Sequence, residues 1–322
     1  MAGLALPAPA SRLAYPGRAD AAGGAEELTS VVWPGLEGKN VSGREWRSRA
    51  IIGAIVAFHI VFFFQAFFIK QFGVNLPFWD EWAVLLPFLN KYQAGALTFH
   101  DLIAQHNEHR IPITRFICLS LFYLFGELNT LSYMLFSALL YGICVSMWVY
   151  SMQRLGISVW PALVSCLVLV SPVQYENILW GFQIHFYVMV ASAICGICVV
   201  AMSDTLSWRT LGAAWLACFV ATFSIASGLC LWGVIFVCLC VRLWLYYGSI
   251  QALVRDKSVL AKLSVFIVAA LGCAIFYLYG FRQPEVHETL HAKTVTSFLE
   301  WVARALAYPL LWPSSTIGSV IG

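Results

Sequence analysis

Chemistry in this chain has three places to come from: PFWDEW at 77–82, HDLIAQHNEHRIPITR at 100–115 and SPVQYENILWGFQIHF at 171–186. The first sets two adjacent carboxylates, Asp80 and Glu81, between Trp79 and Trp82. A carboxylate at the edge of a low-dielectric cavity can have its pKa tuned upward and act as a general base. Acids also cap helix N-termini, and Glu81 opens EWAVLLPFL, a segment able to form such a helix. The flanking indoles suit a membrane interface, and equally a stacked sugar or isoprenoid.

The second run holds His106, Glu108, His109, Arg110 and Arg115. Guanidinium groups grip phosphate oxygens bidentately, so the two arginines, assisted by the histidines, suit a phosphate such as that of a lipid. If residues 105–110 are helical, His106 and Arg110 share a face and His109 points elsewhere; a solvated loop is the alternative. Two imidazoles and a carboxylate can hold zinc, but the order H-N-E-H fits neither HExxH nor HxxEH. The third run adds Glu176 and Gln183, polar groups beside apolar spans, where such groups are costly and mark function. A helix–helix hydrogen bond is the structural alternative. Gln183 and His185 are two residues apart, on different faces of a helix. His287 and His291, spaced i,i+4 in the last polar segment, are a weaker pair.

The elements that must position these groups are membrane spans. Of 322 residues, 61% are hydrophobic and only 11% charged, against roughly a quarter charged in soluble domains. The fold class is therefore an all-α polytopic membrane protein, since each crossing needs about 20 apolar residues. Spans are expected at 50–69, 130–152, 157–172, 179–202, 210–226, 229–248 and 262–281, with an eighth starting near 298, giving seven to eight transmembrane helices. Residues 112–126 open with Pro112 and are too short to cross, so they are expected to lie on the membrane surface. Residues 1–45, rich in Ala, Gly and Pro, read as a disordered tail, and 46–322 as the membrane domain, with a first outer loop at 70–129 and a last outer segment at 282–297. All ten cysteines lie in apolar segments and suggest neither disulfides nor a zinc ribbon.

Arg44, Arg47 and Arg49 precede the first span, and Arg154, Arg209, Arg242, Arg255, Lys257 and Lys262 fall on the same side. The positive-inside rule makes that side cytoplasmic. Beyond residue 50 nine of eleven acids, and most histidines, fall on the opposite side. The expected chemistry therefore faces outward. Membrane lipids are expected partners; nucleic acid is not.

These residues resemble the GT-C superfamily of membrane glycosyltransferases, which use polyprenyl-phosphate-linked sugars. The likeness rests on the acidic pair after the first span and on residues 110–156, similar to that superfamily's surface helix, second span and short turn ending in RLG. SPVQYENILW at 171–180 is similar to the outer end of a third span in many members. The resemblance implies that Asp80 is the base on the acceptor hydroxyl, with Glu81 the alternative or a metal ligand. It further implies a nearby divalent cation, Mg or Mn, with Arg110 and Arg115 neutralising the donor phosphate, and inversion at the anomeric carbon. Members commonly carry more spans and a C-terminal outer domain, so a C-terminally truncated chain is an expectation too. The location implied is the bacterial inner membrane with the active site facing the periplasm. The rival class is a non-catalytic transporter or lipid-binding protein, which would place acids and histidines at mid-membrane; only His59 is there.

Overall fold

A computed structural model describes residues 43–154, 157–158, 160–162, 164, 171, 174–203, 206–284 and 294–307. The expected tail up to residue 42, most of the span at 157–172, and His287 with His291 lie outside them, while residues 43–45 already belong to the first helix. Residues Asn40–Gly322 form one compact unit. It is helical apart from a single two-stranded hairpin among the described residues.

The helices are α1 (Gly43–Phe72), α2 (Leu86–Gln93), α3 (Phe99–Ile103), α4 (Pro112–Phe125) and α5 (Thr130–Arg154), followed by α6 (Tyr175–Leu179), α7 (Ile184–Met202) and α8 (Trp208–Thr222). After them come α9 (Cys230–Tyr247), α10 (Ile250–Arg255), α11 (Lys257–Leu278) and α12 (Val295–Ala307). Among the described residues, five segments are long and apolar enough to cross a membrane: Arg47–Phe72, Thr130–Arg154, Gly181–Met202, Ala226–Tyr247 and Lys257–Leu278. The chain is thus an all-α membrane-type protein. The expected span at 210–226 is the 15-residue α8, about 22 Å long by helix rise and shorter than a ~30 Å hydrocarbon core, yet it returns the chain to the first-loop side, where its Phe223 carbonyl accepts from the Ile113 amide of α4 at 3.2 Å. The expected span at 179–202 is broken near its start: α6 stops at Leu179 and a 3-10 turn, Gly181–Gln183, intervenes before α7.

Spans gain little from the hydrophobic effect against one another, because lipid is as apolar as leucine, so close backbone approach decides their packing. On α1 the buried residues Ala50, Ala54, Ala57, Val61, Gln65 and Ile69 recur every three or four positions and make one stripe. That stripe lies against α5, where Ala57 and Val61 cluster with Tyr141, Cys144, Val145 and Val149. A Cβ on Gly142 would stand 3.0 Å from the Phe58 ring.

A second cluster carries the polar groups. Leu85, Phe88, Leu89, Ile111, Cys118, Tyr133, Phe182 and Ile184 are buried together, joining the 81–93 segment to α4, α5 and the 3-10 turn. The α4 helix occupies 112–125 as its Pro112 start signal predicts, and ends at Gly126 in the left-handed conformation with φ 75°. Its Cys118 carbonyl accepts from the Tyr133 hydroxyl at 3.0 Å. The first loop is thereby fastened to a span.

Candidate functional site

QHNEHR is a hairpin, not a helix. Strands β1 (Gln105–His106) and β2 (His109–Arg110) pair antiparallel, with Gln105 opposite Arg110 and His106 opposite His109. Asn107 makes the turn with φ 47°, a left-handed conformation that Asn tolerates better than most residues. Directly opposed residues in an antiparallel pair project to one face, so both imidazoles face the same way. The helical i,i+4 grouping of His106 with Arg110 is corrected accordingly: Arg110 belongs to the opposite face with Gln105.

On the imidazole face, His106 Nε2 lies 3.3 Å from Asp80 Oδ2. The contact to a carboxylate requires the proton on Nε2. His106 is buried and packs edge-on against Phe182. Burial lowers its pKa from 6.5, with Asp80 pulling the other way. His109 Nε2 stands 3.4 Å from Glu108 Oε1, and its Nδ1 accepts from the Ala226 amide at 3.3 Å. His185, at the start of α7, donates from Nδ1 to the Phe182 carbonyl at 2.7 Å, and its ring centre is 6.5 Å from that of His109. Three imidazoles from two distant segments thus gather behind Asp80.

Neither helix capping nor open solvent describes the acidic pair. Asp80 precedes a π-helical turn, Glu81–Leu85, yet its side chain makes no cap hydrogen bond; it is 30% exposed and turned to His106. Glu81 is 1% exposed. Its Oε2 accepts from the Phe78 amide at 2.8 Å, while Oε1 has no hydrogen-bond partner. Desolvation pushes its pKa from 4.5 to about 7, offset in part by the Phe78 amide and, from beyond full hydrogen-bond geometry, by that of Phe182. A Cβ on Gly181 would lie 2.9 Å from Glu81 Oε1 and 2.8 Å from Tyr133 Cβ. Glycine is therefore what lets the 3-10 turn close over this carboxyl.

The arginines are spent on backbone. Arg110 donates from Nε to the Tyr277 carbonyl at 2.8 Å and from one terminal nitrogen to Ile103 O at 3.1 Å. Its other terminal nitrogen donates to Tyr279 O. Arg115 is buried, donates to the carbonyls of Leu102 and Ala104, and stands over the Phe88 ring at 5.9 Å. Burial lowers its pKa to about 10. Both guanidinium groups hold the loop's shape through these carbonyls, and Arg115 Nε is buried without a hydrogen-bond partner. Gln105 shares this role: it donates to Arg282 O at 2.5 Å and accepts from Arg282 N at 3.0 Å. The side chain of Arg282 remains exposed.

The other expected groups are dispersed. Glu176 is exposed on α6, accepting from the Tyr175 hydroxyl at 3.1 Å. Gln183 is buried with its Oε1 unpaired. Among the described residues no three His, Cys, Asp or Glu side chains converge as metal ligands. Glu81 is too enclosed to reach a surface cation, and Asp80 is the outward oxygen donor of the pair. Sequence reasoning missed the pairing of Asp80 with His106, the place of His185 beside His109, and Gly181; the tight polar turn at 105–110 was the available signal for the first.

Compared with family profiles, with curated proteins and with solved structures, the chain finds no match in any of the three. Its site stands on its own geometry.

Proposed function

We propose that the chain is a membrane glycosyltransferase that moves a sugar from a polyprenyl-phosphate donor to a lipid, glycan or protein acceptor. The observation that carries this reading is the Asp80–His106 pair at 3.3 Å, one-third open on the carboxylate side and buried on the imidazole side. A carboxylate steered by a neighbouring N–H and left open on its other side suits removal of a proton from an acceptor hydroxyl. Asp80 takes that proton as the acceptor oxygen bonds to the anomeric carbon. The bond from that carbon to the phosphate oxygen breaks with its electron pair leaving on the phosphate, inverting the centre. His106 positions the carboxylate, with Nε2–H donating to Oδ2.

Because Arg110 and Arg115 are committed to carbonyls, the exposed Arg282, held beside the hairpin through Gln105, is the cation assigned to the departing phosphate. A hard divalent cation such as Mg or Mn would take oxygen ligands, with Asp80 the donor available to it. In this reading the N-terminus is cytoplasmic, the site faces the periplasm across the inner membrane, and the full count of spans is seven to eight.

The test is transfer of radiolabelled sugar from polyprenyl-phosphate donors in membranes carrying the chain. Incorporation into acceptor above vector-only membranes is expected. Absence of transfer with every donor would return the chain to the non-catalytic transport or lipid-binding class.

A further inference from the structure

We infer that Cys195 and Cys198, with the thioethers of Met147 and Met202, form a binding site for the soft monovalent cation Cu(I), at the end of α5 and α7 far from Asp80. The inference does not rest on the transfer reading.

Helical spacing brings the sulfurs together. Cys195, Cys198 and Met202 follow one another at three and four positions on α7, and Met147, Ser151 and Arg154 at four and three on α5, so each trio shares one face of its helix. The two faces meet, and all six residues line one cavity of about 360 Å³. Ser151 Oγ donates to the Met147 carbonyl at 2.7 Å, which uses its only proton. The Cys198 thiol is therefore the donor in its 2.8 Å contact with Ser151 Oγ. That contact ties α7 to α5 and fixes one thiol in the cavity wall, while Cys195 is exposed.

The cavity is separate from the outer loop. Thr130, at the other end of α5, bonds to Val74 and Asn75 and lies about 30 Å from Ser151 by helix rise. The positive-inside reading puts the cavity end in the cytoplasm, where free thiols stay reduced. Small residues that only pack two spans together close the space between them. Here the space stays open and is walled by sulfur.

Chemistry selects the ion. Thiolate and thioether sulfur are soft donors that favour Cu(I), whereas zinc sites are built from thiolate, imidazole and carboxylate. Among the described residues no His, Asp or Glu lines this cavity. Two thiolates on one Cu(I) leave one negative charge, and Arg154 in the same wall supplies the balancing cation. Uptake is ligand exchange without a change of oxidation state. Cys195 and Cys198 form two Cu–S bonds as the two thiolates of a Cu(I)–thiolate carrier leave, and the two cysteine protons pass to those thiolates. The cavity volume, far more than one ion fills, gives the carrier room to approach.

The experiment titrates the full chain in lipid nanodiscs with Cu(I) against the coloured competitor bathocuproine disulfonate. Wild type is compared with Cys195→Ser/Cys198→Ser and with Met147→Leu/Met202→Leu, the melting midpoint being checked in each. The serine variant keeps the other eight of the ten cysteines, so its uptake sets the non-specific background. Wild type is expected to hold one more copper per chain than the serine variant, with sulfur ligands in its X-ray absorption spectrum. The leucine variant is expected to bind that copper at least about ten-fold more weakly, the least that even a partner outside the ligand shell typically contributes. Should the serine pair fail to fold, Cys195→Ser alone, at the exposed thiol, gives the same comparison. Equal uptake by a folded serine variant overturns the site, as does nitrogen or oxygen ligation in the spectrum. Undiminished affinity in the leucine variant, or displacement of the copper by equimolar zinc, overturns it too.

Discussion

At the scale of single residues, the two acids differ in environment more than in chemistry, and the difference is testable. Glu81 is enclosed and holds its proton up to about pH 7, against 4.5 for an ordinary glutamate. The folded state therefore binds more protons than the unfolded state between about pH 4.5 and 7. This group's contribution to stability falls through that window and stays low above it, by roughly 3 kcal/mol in all. Glu81→Gln should raise the melting midpoint at pH 8 relative to wild type and leave it little changed at pH 4.5, as read by scanning fluorimetry in detergent. An equal effect of the substitution at both pH values would contradict the burial argument. For His106, removing the opposing charge in Asp80→Asn should lower the imidazole pKa further, which a histidine C2–H titration by NMR reads directly. PFWDEW identified both acids from sequence; which of them is enclosed was not legible, because Gly181, a hundred residues away, encloses it.

Among the elements, the hairpin and the 3-10 turn decide where these side chains meet. The hairpin is fastened on both of its faces: Arg110 and Gln105 to residues 277–282, and His109 to the Ala226 amide. The Tyr277 hydroxyl accepts from the Arg110 amide at 3.1 Å and donates to Glu108 O at 3.2 Å. Hydrogen bonds from a charged donor are each worth about 1.5–3 kcal/mol net, and they are not additive. Arg110→Ala should cost roughly 2–4 kcal/mol and expose residues 105–110 to limited proteolysis. Arg110→Lys should not rescue it, because an ammonium is a point donor and cannot span three carbonyls arranged around a planar fork. Gly181→Ala is expected to cost about 1–3 kcal/mol by overpacking against Glu81 and Tyr133, seen as a lower melting midpoint. The α4 helix was readable in sequence from Pro112 and its length. The hairpin was not, since polar residues without hydrophobic alternation carry no strand period, and its partners lie more than a hundred residues downstream.

For the molecule as a whole, apolar length and composition made the membrane class and most crossings legible, including Thr130–Arg154, Ala226–Tyr247 and Lys257–Leu278. The count was less so: α8 is apolar in sequence yet short, and buries Leu211, Ala214, Ala217, Cys218 and Ala221 against its neighbours. Hydropathy alone does not separate a buried helix of that length from a crossing. Sidedness can be measured with single cysteines in a cysteine-free background. Asn107→Cys should react with an impermeant maleimide from outside intact cells, whereas Gln251→Cys should react only after permeabilisation; labelling of both from the same side would contradict the assigned topology. The central claim, that Asp80 is the base of a sugar transfer, is most directly tested by turnover of wild type and Asp80→Asn with the same polyprenyl-phosphate sugar. General-base catalysis is worth about 10²–10⁴-fold. A loss of at least about 100-fold at unchanged melting midpoint is the result expected, and equal turnover by a folded Asp80→Asn would contradict it.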